Sequence, residues 1–106
     1  MRRYVLSPRA QADIEEEIWT FTVDRWGFRQ AEDYIDRLRI GIETLASDPS
    51  RGRRCDDIRT GYFKYPIASH VLFYRTMNAE IDVVRILHRR LGFRTPSLIA
   101  LQTHRR

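Results

Sequence analysis

At 106 residues and 42% apolar, the chain is long enough for one domain with a modest core, too short for two, and too apolar to be disordered throughout. Its net charge of +5 is unevenly placed: residues 1–50 hold seven Arg against ten acids, about −3, and residues 51–106 hold eleven Arg and one Lys against four acids, about +8. A basic half attracts nucleic acid, an acidic protein surface or an acidic peptide, and charge alone does not choose among them.

Tyr4–Leu6 reads as a short strand. Ser7 is a good N-cap, and Pro8 fits the first helical position, where its missing N–H is not needed. The spacing predicts a first helix to about Arg25, with Ile14, Ile18 and Phe21 on one face and Trp19 and Thr22 beside it. Asp13, Glu15, Glu16 and Glu17 lie in its first half, where the helix dipole favours negative charge. Gly27 breaks it. A second helix runs from Phe28 to Ser47 and stops at Asp48-Pro49, with a core stripe of Ala31, Ile35, Leu38, Ile42 and Leu45 flanked by Tyr34. Gly41 inside it points to close packing, and the short link makes an antiparallel hairpin.

Pro49–Gly61 reads as a loop. Tyr62–Ile67 is a strand whose Pro66 argues for a strand end or a sheet edge. Ala68-Ser69 turns it into His70–Thr76, and Met77-Asn78-Ala79 turns that into Glu80–His88. The last strand is apolar on both faces and so belongs inside the sheet. The fold class is α+β, in the order β-α-α-β-β-β, with a helical hairpin packed on a small, mainly antiparallel sheet. Residues 1–94 form the single domain. Residues 95–106 are a tail, in which Leu98, Ile99 and Leu101 make either a short amphipathic helix or a frayed end.

The sharpest chemical candidate is His88-Arg89-Arg90 at a strand end. Histidine transfers protons near neutral pH, and arginine stabilises developing phosphorane charge. With Arg59, the set His88 and Arg89 would suit metal-free RNA cleavage; equally, it reads as a solvated strand end. Spacing shows no proton-transfer pair, so no catalytic residue is assigned outside that ribonuclease reading. Arg59, Lys64, Arg75, Arg85, His88, Arg89, Arg90 and Trp19 are the expected partner-binding residues. His70 reads as structural or turn-capping. The acids of the two helices read as a solvated face. Trp19, Phe21, Trp26 and Phe28 gather at the helix–helix turn, either to wedge the hairpin onto the sheet or to line an aromatic groove for a partner peptide.

Three scattered His and one Cys match no metal-ligand spacing, and neither a Gly-rich phosphate loop nor a Ser-centred nucleophile motif is present, so no metal or cofactor is expected. Cys55 cannot pair internally, which points to a reducing compartment, and it reads as a bystander. With no signal-peptide pattern and no run long enough to span a bilayer, the expected location is cytoplasmic, with no membrane partner.

An ordered series of short pieces carries a family resemblance: Leu6-Ser7-Pro8 then Ala10, Ala12-Asp13-Ile14 and Ile18-Trp19; Arg25-Trp26-Gly27; Ala31-Glu32 with Tyr34-Ile35; Asp48-Pro49 with Gly52-Arg53; Asp57-Ile58-Arg59 with Gly61-Tyr62; Ser69-His70-Val71 with Phe73-Tyr74-Arg75; and Val84–His88 before Arg90. Over Tyr4–Arg90 the chain resembles the ParE branch of the RelE/ParE toxin superfamily of type II toxin–antitoxin modules. The resemblance implies the same α+β fold and a bacterial toxin that inhibits DNA gyrase by binding. It also implies a hetero-oligomer with a ParD-like antitoxin whose acidic or amphipathic segment wraps the hairpin and sheet. The RelE branch instead cleaves mRNA on the ribosome, often with a C-terminal Tyr and several Lys. This chain has no Tyr after Arg89, carries Phe93, which cannot donate a proton, and has only one Lys; these departures weaken the ribonuclease alternative. A third reading is a non-toxic relic that only pairs with its antitoxin.

Overall fold

Ser7 starts the helical arm as its chemistry requires: its Oγ accepts the Ala10 N–H at 3.0 Å, and Pro8 takes the first helical position. The computed structural model describes residues 3–90. β1 (Arg3–Leu6) leads into α1 (Pro8–Ala12), a π-helical stretch (Asp13–Ile18) and α2 (Trp19–Trp26), which together form one arm. Gly27, at φ +95°, reverses the chain into α3 (Phe28–Ser47), completing the hairpin. A 3₁₀ turn (Pro49–Arg51) and the two-residue β2 (Arg53–Arg54) follow, then β3 (Phe63–Ile67), β4 (His70–Met77) and β5 (Glu80–His88). β2 lies within the stretch expected to be loop. The residues expected to form a tail, 95–106, lie outside the described part.

The sheet order is β1-β5-β4-β3-β2; β1 runs parallel to β5, and the other pairs are antiparallel. β5 is therefore paired on both sides, as its two apolar faces require. Leu38, Ile42 and Leu45 of α3 and Ile18 of the arm pack on Leu72, Tyr74, Ile81, Val83 and Ile86, forming the main core. A smaller cluster on the opposite sheet face joins Cys55, Tyr62, Val71, Phe73, Val84 and Leu87 under the 55–62 loop. Gly52 lies against the Tyr74 ring, whose hydroxyl donates to Pro49 O at 2.7 Å. A Cβ at Gly52 would run into that phenol.

β1 stops pairing at Leu6, opposite Val83, yet β5 continues to His88. The uncovered edge is satisfied by side chains of the arm. Ser7 donates its N–H to Val83 O at 2.9 Å and its Oγ–H to Val84 O at 2.8 Å. Asp13 accepts the Ile86 N–H at 2.9 Å on Oδ2 and grips the Arg85 guanidinium through both oxygens, at 2.8 and 2.9 Å. Asp13 is thus buried in an ion pair and is not one of the solvated acids expected along the arm. The π-helical stretch begins at this residue.

The aromatic residues of the hairpin turn do not all wedge it onto the sheet. Phe21, Trp26 and Phe28 are exposed, and Trp19 is half-buried with its ring edge-on to Phe28.

Removing the Asp13 carboxylate leaves a buried guanidinium and the Ile86 N–H unpaired. Asp13→Ala is therefore expected to lower unfolding stability by about 3–5 kcal/mol, and Asp13→Asn by less. Urea titration checks this; a loss under about 1 kcal/mol for Asp13→Ala would remove the pair from its role as the tie between arm and sheet. Gly52→Ala is expected to displace Tyr74 and destabilise by about 1–3 kcal/mol in the same titration.

Candidate functional site

β4 and β5 carry one extra residue between them. Down to Tyr74 opposite Val83 the register is regular; then Phe73 faces Arg85, leaving Val84 as a bulge. The shift brings His70 opposite His88, with rings 5.2 Å apart and nearly perpendicular. Tyr34 reaches this pair from α3. Its hydroxyl accepts the Ser69 N–H at 3.0 Å and lies 2.7 Å from His70 Nδ1. The Tyr34 hydroxyl and His70 Nδ1 share this hydrogen bond, with the donor set by the His70 tautomer. Burial, and then the neighbouring His88, push the His70 pKa down to about 4, so it is a neutral imidazole at physiological pH. His88 Nδ1 accepts the Arg90 N–H at 3.1 Å, and its ring meets Phe21 edge-on at 6.3 Å.

Above the pair lies a groove of about 430 Å³ between the hairpin and the β4–β5 end. Phe21, Trp26 and Tyr34 give it aromatic walls; Arg25 and Arg37 give it cations; His70, His88 and Asp33 add polar groups. Such a groove suits an acidic, amphipathic segment better than a uniformly charged one.

The expected partner-binding residues fall in separate places. His88 lines this groove. Arg89 and Arg90 are exposed at the same end, where Arg89 donates its N–H to Ser69 O at 2.8 Å and its Nη1 to Ala68 O at 3.3 Å. Lys64 and Arg75 share the opposite sheet face with Phe73, and Arg75 is exposed in a 2.9 Å ion pair with Asp82. Arg59 lies over the Tyr62 ring, 5.6 Å from its centroid, at the cluster on that same face. Trp19 lines a second groove of about 650 Å³ along the other side of the hairpin, with Ile14, Ile35 and the acids Glu15, Glu32, Asp33 and Asp36. Arg85 is the correction: it is buried against Asp13, so its guanidinium is spent inside the fold and is not presented to a partner. Among the described residues, its Nη1 has no hydrogen-bond partner.

The ribonuclease trio is not assembled in one cavity, since neither Arg59 nor Arg89 lines the groove that holds His88. Phe21 and Trp26 line this groove, as one of the two sequence readings of the hairpin turn had it; the groove residues missed from sequence are Tyr34, His70, Arg25 and Arg37. Tyr34 and His70 were legible as polar aromatics on neighbouring elements, but the bulge that pairs His70 with His88 had no sequence signal. Burial raises the Cys55 thiol to about 11, which makes it unreactive at neutral pH. Among the described residues, no group of three or more His, Cys, Asp or Glu is placed to hold a metal ion, and no helix is long and apolar enough to cross a membrane.

Residues 4–91 match the family model described as ParE toxin of type II toxin-antitoxin system, parDE. The chain is 54% identical over 90 residues to Toxin ParE1 of Mycobacterium tuberculosis (strain ATCC 25618 / H37Rv), covering 84% of this chain and 91% of that protein. It is 39% identical over 94 residues to Toxin ParE1 of Caulobacter vibrioides, covering 89% and 96%. Among solved structures, one described as the chromosomal ParDE TA system from P. aeruginosa superposes with a TM-score of 0.71 at 18% identity, over 83% of this chain and 96% of that one. That likeness establishes the shared fold.

A folded pKa of about 4 for His70, against an ordinary 6.5, means that the unfolded chain takes up this proton first as pH falls. The His70 contribution is fully present above about 6.5, is lost between about 6.5 and 4, and does not change further below that. The expected loss is up to about 3 kcal/mol. Urea unfolding across this range should show the slope, and His70→Gln should flatten it; an unchanged slope would assign the titration to other groups.

Proposed function

Because the chain belongs to the ParE toxin family of ParDE type II toxin–antitoxin systems, we propose that it arrests growth by binding DNA gyrase and is held inactive by a ParD-like antitoxin. It acts by binding and not by catalysis, in the cytoplasm where gyrase works. The antitoxin lays an acidic, amphipathic segment along the groove beside His88 and over the strand end of Arg89 and Arg90.

The observation that carries this reading is the groove itself: aromatic walls with Arg25, Arg37 and His88 around them, continuous with two exposed arginines. Apolar side chains of such a segment would meet Phe21, Trp26 and Tyr34, while its carboxylates would meet the cations. The solved ParDE neighbour, described as a toxin–antitoxin system, supports an antitoxin partner. Scattering of Arg59 away from His88 speaks against the ribonuclease alternative.

Induced expression of the chain alone is expected to give growth arrest with filamentation and intact transcripts, reversed by co-expression of the antitoxin encoded beside it. Rapid transcript cleavage would replace the proposal with a ribonuclease, and healthy growth with folded protein accumulating would replace it with an antitoxin-binding relic. The double variant Arg89→Glu, Arg90→Glu should keep its melting temperature and weaken antitoxin binding at least about tenfold in calorimetry. Unchanged affinity would remove the strand end from the antitoxin surface.

A further inference from the structure

Trp26 is 64% exposed and Phe28 is 62% exposed, on either side of Gly27 at the tip of the hairpin. Side chains this large and apolar seldom stand so open without a partner. We propose that this tip, residues 25–29, is the part of the toxin that enters its target, with Trp26 and Phe28 filling an apolar pocket rimmed by acidic side chains on a folded protein; this rests on the target-binding reading above and names the surface that reading leaves open.

Shape is the first argument. The tip is convex, and a Cβ built on Gly27 would meet nothing within 4 Å. A convex aromatic knob needs a concave partner, whereas an extended antitoxin segment needs a groove. The second argument is order. Gly27 donates to Val23 O at 2.9 Å and accepts from the Ala31 N–H at 3.0 Å, which fixes the turn. Trp19 meets Phe28 edge-on at 5.3 Å, and Arg25 lies over Phe21 at 5.2 Å. Side chains already held in place lose little freedom on binding.

Chemistry is the third argument. The run Arg25-Trp26-Gly27-Phe28-Arg29 joins the residue types that dominate interface hot spots. Arg25 and Arg29 are exposed and make no ion pair among the described residues, so a partner's carboxylates would be their first. Asp24, Glu32 and Asp33 lie close by in the chain and oppose docking on an anionic lipid surface, which favours a protein pocket that places its acids selectively.

Trp26 also walls the antitoxin groove, so the clean test uses Phe28→Ala with Arg29→Glu, neither of which lines it. Both side chains are exposed, and the variant should melt within a few degrees of the wild type. Calorimetry with the cognate antitoxin should give an affinity within about threefold of wild type. Binding to the gyrase holoenzyme should fall at least about 30-fold, and growth arrest on induction should disappear. Arg29→Glu alone should slow association with gyrase about tenfold. Full growth arrest by the double variant would overturn the proposal. So would a loss confined to antitoxin affinity, which would give the tip to the antitoxin, or a tip-dependent sedimentation of the wild type with phosphatidylglycerol vesicles, which would give it to a lipid surface. If the wild type arrests growth without binding gyrase, the gyrase reading falls; the tip proposal then survives only if the double variant loses the arrest.

Discussion

The uncovered edge of β5 is the constraint on which the rest of the molecule depends. Among the described residues, a first strand four residues long leaves the end of its nine-residue neighbour without a ladder partner on that side. Buried N–H and C=O groups left there would each cost about 1–3 kcal/mol. Ser7 and Asp13 supply what a longer β1 would have supplied. Asp13 can do this only because Arg85 neutralises it, and Arg85 can be buried only because Asp13 grips it through two oxygens. The pair therefore ties the helical arm, five residues into its course, to β5 inside the sheet.

The Val84 bulge does for the site what the ion pair does for the arm. Carried on from the Met77–Glu80 turn, an unbroken register would set His70 opposite Leu87. The extra residue advances β5 by one, so that two imidazoles face each other beneath Tyr34. Burial, and after it the neighbouring His88, keeps His70 neutral. Its ring shares a hydrogen bond with Tyr34, which ties α3 to the β3–β4 turn. The groove is consequently floored by Tyr34 and the neutral His70 and edged by Arg25 and Arg37.

Much of this was legible in the chain, and the exceptions share a cause. Periodicity placed both helices and the three long strands, because each buries one regular stripe or two apolar faces. The Ser7 cap, the Gly27 break and the Asp48-Pro49 stop were read from residue chemistry alone. Asp13 looked like one more acid at a helix start, and Arg85 like one more cation on a basic strand; 72 positions separate the two, and no local pattern announces that they meet. Likewise Arg59, Lys64 and Arg75 are neighbours of His88 in the basic half of the chain but belong to the other face of the sheet. Charge counted along a sequence says how much is present, and strand alternation decides which face receives it. The aromatic turn was read as wedge or groove; Leu38, Ile42 and Leu45 of α3, with Ile18 of the arm, supply the hairpin's apolar contact with the sheet, and that leaves the tip free.

The free tip is also a hazard, and the charge distribution explains how a chain of this size tolerates it. Exposed Trp26 and Phe28 offer a sticky surface to any second copy. Arg25 and Arg29 beside them repel an identical tip, and the net charge of +5 keeps whole molecules apart. Along the sides of the same hairpin the sign differs: the Trp19 groove is edged by four carboxylates, whereas the His88 groove carries two arginines and one. An acidic segment is drawn to one side of the ridge and repelled from the other. The charges that set the two sides apart all come from residues 1–50, so it is the helix faces of the hairpin, and not the division of the chain into an acidic and a basic half, that give the ridge its direction.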